Sequence, residues 1–157
     1  MCSELDYLLK ELVGDPAPVV ARTGIRGLVV AKTTLDPCGV VEKFREILQE
    51  RPYEFRYALR VMPIERVSPT NLDEVKKMAT ELAADIGENE TFRVTVEKRF
   101  TSLHARDFIE AAAEGIERKV NLDNPDRILL IEVLGGLTGM SLIRPVNLLA
   151  VLKEKML

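Results

Sequence analysis

Residues 126–145, DRILLIEVLGGLTGMSLIRP, constrain the fold more than any other stretch. Between Ile128 and Leu134 only Glu132 interrupts the run of Ile, Leu and Val. A strand exposed on one face alternates apolar and polar residues, and this run does not, so it predicts a strand covered on both faces. Gly135-Gly136 supplies the backbone freedom of a tight hairpin, and a second strand returns towards Pro145. A central covered strand needs other strands beside it and helices against it. The polar lead-in, KVNLDNPD over 119–126, is its counterpart. Pro125 holds Asn124 extended and fixes its own φ. Asn121, Asp123, Asn124 and Asp126 are residues that satisfy local backbone groups in turns. The loop is thus expected to be chiefly a device that aims the strand into the sheet.

The remaining periodicities surround this hairpin with alternating elements. SELDYLLKELVGD predicts a helix with Ser3 as N-cap and a stripe of Leu5, Leu8, Leu9 and Leu12. APVVAR and RGLVVAK predict a hairpin around Thr23-Gly24. Asp36 and Pro37 open a second helix with Val41, Phe44 and Leu48 inward. Phe55, Tyr57, Leu59 and Val61 alternate as a half-buried strand would. A helix capped at Thr70 or Asn71 follows, with Leu72, Val75, Met78, Ala79 and Leu82 inward. TFRVTVEKRF over 91–100 alternates cleanly. A helix over 105–120, with Phe108, Ile109, Ala112, Ile116 and Val120 inward, and a last helix over 146–157 complete the chain. The order α β β α β, then α β α β β α, is an α+β chain of two halves, 1–68 and 69–157.

Composition narrows the function. The two cysteines, Cys2 and Cys38, are too few for a disulfide scaffold and have no metal spacing. No apolar run reaches the roughly 20 residues that span a bilayer, and no secretion signal opens the chain, so a cytoplasmic protein without a membrane partner is expected. The net charge of −3 is unevenly spread. Residues 69–90 hold two bases against six acids, whereas residues 17–68 hold nine bases against six. Several bases, Lys32, Arg56, Arg60, Arg66, Arg93, Lys98 and Arg99, fall in or near strands, which points to a basic sheet edge beside acidic helices. The only histidine, His104, stands at a helix start and reads as a cap. No P-loop, dinucleotide fingerprint, hydrolytic triad or ligand-spaced His/Cys/Asp set is present, so the expectation is a non-enzyme with no metal and no cofactor.

Two stretches are familiar in wording. FRVTVEKRFTSL and KVNLDNPDRILLIEVLGGLTGMSLIRP resemble the THUMP domain. The VEKR strand end, with the upstream RTGIRGLVV and RPYEFRYALRVMPIERV, is similar to the archaeal and eukaryotic tRNA acetylation adaptor family. The resemblance extends over nearly the whole chain. It implies a ferredoxin-like domain over 1–68 packed on a THUMP domain over 69–157, together binding tRNA at its acceptor end. It also implies an adaptor that presents leucine and serine tRNAs to a separate RNA acetyltransferase, which makes 4-acetylcytidine in the D-stem. Two departures stand out. Family members carry a strand before the first helix, and its absence here predicts a rearranged N-terminal sheet or a homo-oligomer that completes it. His104 replaces the usual Ser or Thr N-cap, at a cost of about 1 kcal/mol.

Lys98 and Arg99, where side chains leave the core, are the first candidates for RNA contact. Arg60, Arg66, Lys119 and Arg144 form a second group. With no free aromatic evident, recognition is expected to rest on phosphates, 2′-hydroxyls and shape. The other function class open to such a chain is a small-molecule-binding regulatory α+β module.

Overall fold

The computed structural model describes residues 2–155. In chain order the elements are α1 (Cys2–Tyr7), β1 (Val19–Arg22), β2 (Val29–Lys32), α2 (Pro37–Glu50), β3 (Arg60–Val61), β4 (Arg66–Pro69), α3 (Leu72–Ala83), β5 (Thr91–Arg99), α4 (Ala105–Ala113), β6 (Lys119–Val120), β7 (Arg127–Leu134), β8 (Leu137–Ile143), β9 (Leu149–Ala150) and α5 (Val151–Lys155). The chain is α+β and divides into two compact units, residues 1–63 with 147–157, and residues 64–146. The position 68/69 falls inside β4, and the C-terminal segment joins the first unit.

The second unit is one five-stranded sheet in the order β4-β8-β7-β5-β6. β7 lies at its centre, antiparallel to β8 and parallel to β5, as its unbroken apolar run requires. β6 also runs parallel to β5, and β4 is antiparallel to β8. One face is covered by α3 and α4. Val75, Met78, Ala79, Leu82, Phe108 and Ala112 from the helices pack on Phe92, Leu129, Ile131, Val133, Met140 and Leu142 from the strands. Asn71 caps α3 by accepting from the Asp73 and Glu74 amides at 2.8 and 3.3 Å. His104 stands at the N-cap of α4, where its backbone N–H donates to Asp107 at 2.8 Å.

The first unit is built on a separate apolar cluster of Leu8, Leu9, Val41, Phe44, Ile47, Leu48, Phe55, Leu149 and Val151. Phe44 and Phe55 meet edge to face with centroids 5.8 Å apart. Its strands form two separate two-stranded ladders among the described residues, β1-β2 and β3-β9. Arg45 of α2 ties the C-terminal segment to this cluster, donating to the Leu148 carbonyl at 3.0 Å and pairing with Glu154 at 3.3 Å.

Four expectations on elements are corrected. The first helix already holds Cys2, so Ser3 is not its cap, and it widens into a π-helical turn over Leu8–Leu12. Residues 55–59 are not a strand: Phe55 and Ala58 are buried, while Tyr57 and Leu59 face solvent. Their spacing of three replaces alternation because a carboxylate, not a neighbouring strand, takes the amides of 56–58. The helix after His104 ends at Ala113, and Val120 is an edge-strand residue instead of an inward helical one. The last segment is a short 3-10 turn, β9 and α5, not one helix.

Asp15 closes the first unit. It is 1% exposed and accepts from the Ala17 amide, the Thr34 amide and the hydroxyls of Thr33 and Thr34, at 2.5–3.0 Å. Burial alone raises its pKa, but these four donors outweigh burial and hold the carboxyl well below its ordinary value of 3.8. Its stabilisation is therefore fully present above pH 3.8 and is withdrawn as pH falls below it. In Asp15→Asn an amide NH2 replaces one acceptor oxygen and leaves a donor unmatched. The expected result is a melting temperature lower by roughly 5 °C near neutral pH, with a smaller acid loss below about pH 4, followed by circular dichroism.

Candidate nucleic-acid interface

Strand alternation sorts the side chains of β5. Phe92, Val94 and Val96 enter the helix-covered core, and Arg93, Thr95, Glu97 and Arg99 take the other face. At the end of β5, Lys98 stands in line with the helix-covered set and Arg99 with the other face. Lys98 is exposed and makes no ion pair with the described residues. Arg99 reaches Glu132 at 3.2 Å, a carboxylate whose side chain is only 12% exposed. Glu132, the single acid in the β7 run, therefore holds the guanidinium in place. Its signal in the sequence is that it is the one acid in an otherwise apolar central strand.

Phe100 follows directly. It is 80% exposed and has a φ of +58°, the only positive φ outside glycine among the described residues. The expectation that no free aromatic is present is thus corrected, since a Phe at the end of an alternating strand reads as core until the chain turns. The turn is locked from the neighbouring hairpin. Gly135, with φ +56°, donates its amide to the Arg99 carbonyl at 2.7 Å. Thr70 donates its hydroxyl to the Gly135 carbonyl at 2.7 Å and its amide to the Gly136 carbonyl at 2.9 Å. Lys98, Arg99 and Phe100 thus form a rigid tip: two cations and an aromatic ring in sequence, on backbone fixed by β7–β8. Such a surface offers charge to phosphates and a π-face to a base.

The remaining candidates lie elsewhere. Lys119 pairs with Thr91 in the register, at the far end of β5, about 23 Å from Lys98 at 3.3 Å per residue. Arg144 follows β8 at that same end and contacts Glu90 at 2.9 Å, where Arg127 also approaches at 3.5 Å. The Gly87 amide, and then Arg144, hold the Glu90 carboxyl below its ordinary range. The neighbouring arginines serve carbonyls: Arg118 donates to Ile86 and Gly87, and Arg127 to Asp85. This end is tied internally, with Lys119 the exposed cation that has no ion pair among the described residues. Arg66, on edge strand β4, pairs with Glu81 of α3. Arg60 belongs to the first unit, with its guanidinium 3.8 Å from the Met62 sulfur. Within the second unit the five candidates are not one patch: Lys98 and Arg99 are consecutive at one end of β5, Lys119 and Arg144 share the opposite end, and Arg66 lies on edge strand β4.

The polar loop before β7 works as its residues imply. Asn121 accepts from the Asp123 and Asn124 amides at 3.2 and 3.0 Å. Asp126 accepts from the Thr91 amide and hydroxyl at 2.8 and 3.1 Å, pinning the starts of β5 and β7, and Pro125 is buried. Pro125→Ala is accordingly expected to lower the melting temperature by a few degrees while leaving RNA affinity within about two-fold. Calorimetry and filter binding on one preparation check the ranking.

Among the described residues no helix is long and apolar enough to cross a membrane, and no group of three His, Cys, Asp or Glu side chains is placed to hold a metal ion.

Comparison with known proteins places this geometry. Residues 69–143 match the THUMP domain family. The uncharacterized protein MJ0421 of Methanocaldococcus jannaschii is 25% identical over 139 residues, 85% of this chain and 36% of that protein. Among solved structures, PH1313 from Pyrococcus horikoshii is similar with a TM-score of 0.62 and 18% identity, over 92% of this chain and 47% of that one. TrmN from Thermus thermophilus follows at 0.54 and 14%, over 87% of this chain and 41% of that one. A 4-thiouridine synthetase in an RNA complex with bound ATP gives 0.54 and 16%, over 90% of this chain and 36% of that one. The chain spans 36–47% of the length of these proteins. The matched residues 69–143 hold α3, β5, α4, β6, β7 and β8, the part of the second unit that carries the tip.

Proposed function

We propose that this chain binds tRNA in the context of tRNA modification, and that it acts without a catalytic centre of its own. It presents tRNA to a separate RNA acetyltransferase for 4-acetylcytidine formation. The observation that carries the RNA-binding part is the Lys98–Arg99–Phe100 tip on a THUMP domain, fixed by Glu132 and the Gly135 hairpin. A fold neighbour, the 4-thiouridine synthetase in its RNA complex, supports the same reading. The adaptor part rests on the wording of the VEKR strand end and the 119–145 block, which resembles the acetylation adaptor family.

Two measurements test it. In filter binding, total tRNA is expected to be retained and released by salt, with log affinity falling linearly in log salt. A flat salt response with a small molecule bound in its place would favour a regulatory module. In a reconstituted reaction, 4-acetylcytidine in tRNA is expected to form with the acetyltransferase only when this chain is added. Equal formation without it removes the adaptor role and leaves RNA binding intact.

A further inference from the structure

All three tyrosines of the chain, Tyr7, Tyr53 and Tyr57, belong to the first unit. Two of them stand in the segment from Arg51 to Arg60, where Arg51, Tyr53, Arg56, Tyr57 and Arg60 interleave cations with aromatic rings. Phe55 and Ala58 anchor the segment in the protein at 1% and 7% exposure, whereas Tyr53 and Tyr57 are 67% and 62% exposed. Arg56 and Arg60 are exposed and make no ion pair with the described residues. Arg51 lies 3.9 Å from Glu54, which also accepts from the Tyr7 hydroxyl at 3.4 Å.

The backbone behind these side chains is held in an unusual way. The amides of Arg56, Tyr57 and Ala58 all donate to the Glu4 carboxylate, Ala58 at 2.9 Å and Tyr57 at 3.2 Å. The Lys155 ammonium donates to the Phe55 carbonyl at 2.7 Å. A carboxylate and an ammonium thus clamp residues 55–58, which link the 3-10 turn at Pro52–Glu54 to β3 and have no strand partner of their own. The backbone of the Arg51–Arg60 ribbon is held at several points, and its outward side chains include two rings, two cations and Leu59. Rigid aromatic anchors lose little conformational freedom on binding. Rings alternating with arginines match a chain in which phosphates alternate with exposed base faces. A duplex stacks its base faces away, so only an unpaired strand fits both features.

We propose that the Arg51–Arg60 ribbon is a binding site for unpaired RNA, with Tyr53 and Tyr57 stacking on bases and Arg56 and Arg60 meeting phosphates. Glu4 is its positioning residue. The inference rests on the RNA-binding function above and assigns to the first unit a share in it.

The probe is a labelled RNA oligonucleotide of unstructured sequence, compared with the same strand annealed to its complement, and read by anisotropy. The chain has no Trp, so its intrinsic fluorescence arises from its three tyrosines, two of which, Tyr53 and Tyr57, belong to this site, and the Tyr7→Phe background isolates them. The expected results are quenching by the single strand and binding at least about ten-fold tighter than the duplex. Tyr53→Ala and Tyr57→Ala each weaken single-strand binding by about 5- to 100-fold without changing its salt slope. Tyr53→Phe and Tyr57→Phe, which keep the ring, retain it. Arg56→Gln lowers the salt slope by about 0.7. Glu4→Ala weakens binding while touching no RNA, and blunts the effect of Tyr57→Ala measured on top of it. A folded Tyr53→Ala, Tyr57→Ala protein that binds the single strand like the wild type overturns the proposal, as does equal binding of the duplex. Tyrosine-dependent binding of polyglutamate in place of RNA also overturns it. If tRNA binding persists in any of these cases, the function proposed above stands. If no RNA of any kind binds, both fall together.

Discussion

Changing Lys98 and Arg99 together to alanine is expected to weaken tRNA binding by about 10- to 100-fold and to lower the salt slope by about 1.5. The two side chains sit on the last residues of β5, where the register still pairs them with Val133 and Leu134, so the backbone beneath them is fixed. Lys98 is exposed and supplies a mobile charge; Arg99 is held by Glu132 and supplies an oriented one. An oriented guanidinium loses less freedom when it meets a phosphate, so the single change at Arg99 should cost more than that at Lys98. Truncating Arg99 also removes a cation from beside the neighbouring carboxylates Glu132 and Glu97, which face each other across the strands. Arg99→Lys is therefore the cleaner partner variant, since it preserves charge and loses the fork. A folded double variant that binds tRNA with unchanged affinity and slope would remove the tip from the interface. A salt titration of wild type and variant by filter binding decides it.

How far the sequence revealed this site follows from what local pattern can encode. β5, β7 and β8 were legible because alternation in one and an unbroken apolar run in another are set by burial alone. The caps at Asp36 and Asn71 were legible because a side chain acting on its own helix needs only its own neighbourhood. β6 was not, since two residues, Lys119 and Val120, become a strand only because β5 offers an edge at Thr91 and Phe92. The Arg51–Arg60 ribbon was not, because Glu4, about fifty positions away, replaces the expected strand neighbour. Phe100 is not legible for a related reason. Its alternation with Lys98 continues the inward set of β5, and only the left-handed turn beside Gly135 throws the ring outward. Charge was legible as a list of cations but not as a surface. Nothing local tells that Arg144 is tied to Glu90 and Arg66 to Glu81, while Lys98 is left to a partner.

The largest stability effect is expected at Phe108, and it contrasts with Phe100 eight positions earlier. Phe108 is fully buried between α4 and the sheet, in the cluster that contains Phe92, Leu129 and Ile131. Phe108→Ala removes a ring from a packed interior and leaves a cavity, which costs about 3–5 kcal/mol. That is a large share of the stability of a domain this size, so the urea midpoint should fall sharply or the second unit should fail to fold. Phe100→Gly should do the reverse. A ring 80% exposed contributes little burial, and a non-glycine residue at φ +58° carries strain of order 1 kcal/mol that glycine relieves. Glycine also widens the freedom of the unfolded chain, which opposes that gain, so Phe100→Ala fixes the baseline for the ring alone. The expected outcome is an unfolding free energy within about 0.5 kcal/mol of wild type for both Phe100 variants, with tRNA binding weakened by about 5- to 100-fold. A strained, exposed aromatic that contributes nothing to stability has a place in the chain through what it touches. If Phe100→Ala lowers stability as Phe108→Ala does, the ring is a core residue and the tip binds by charge alone.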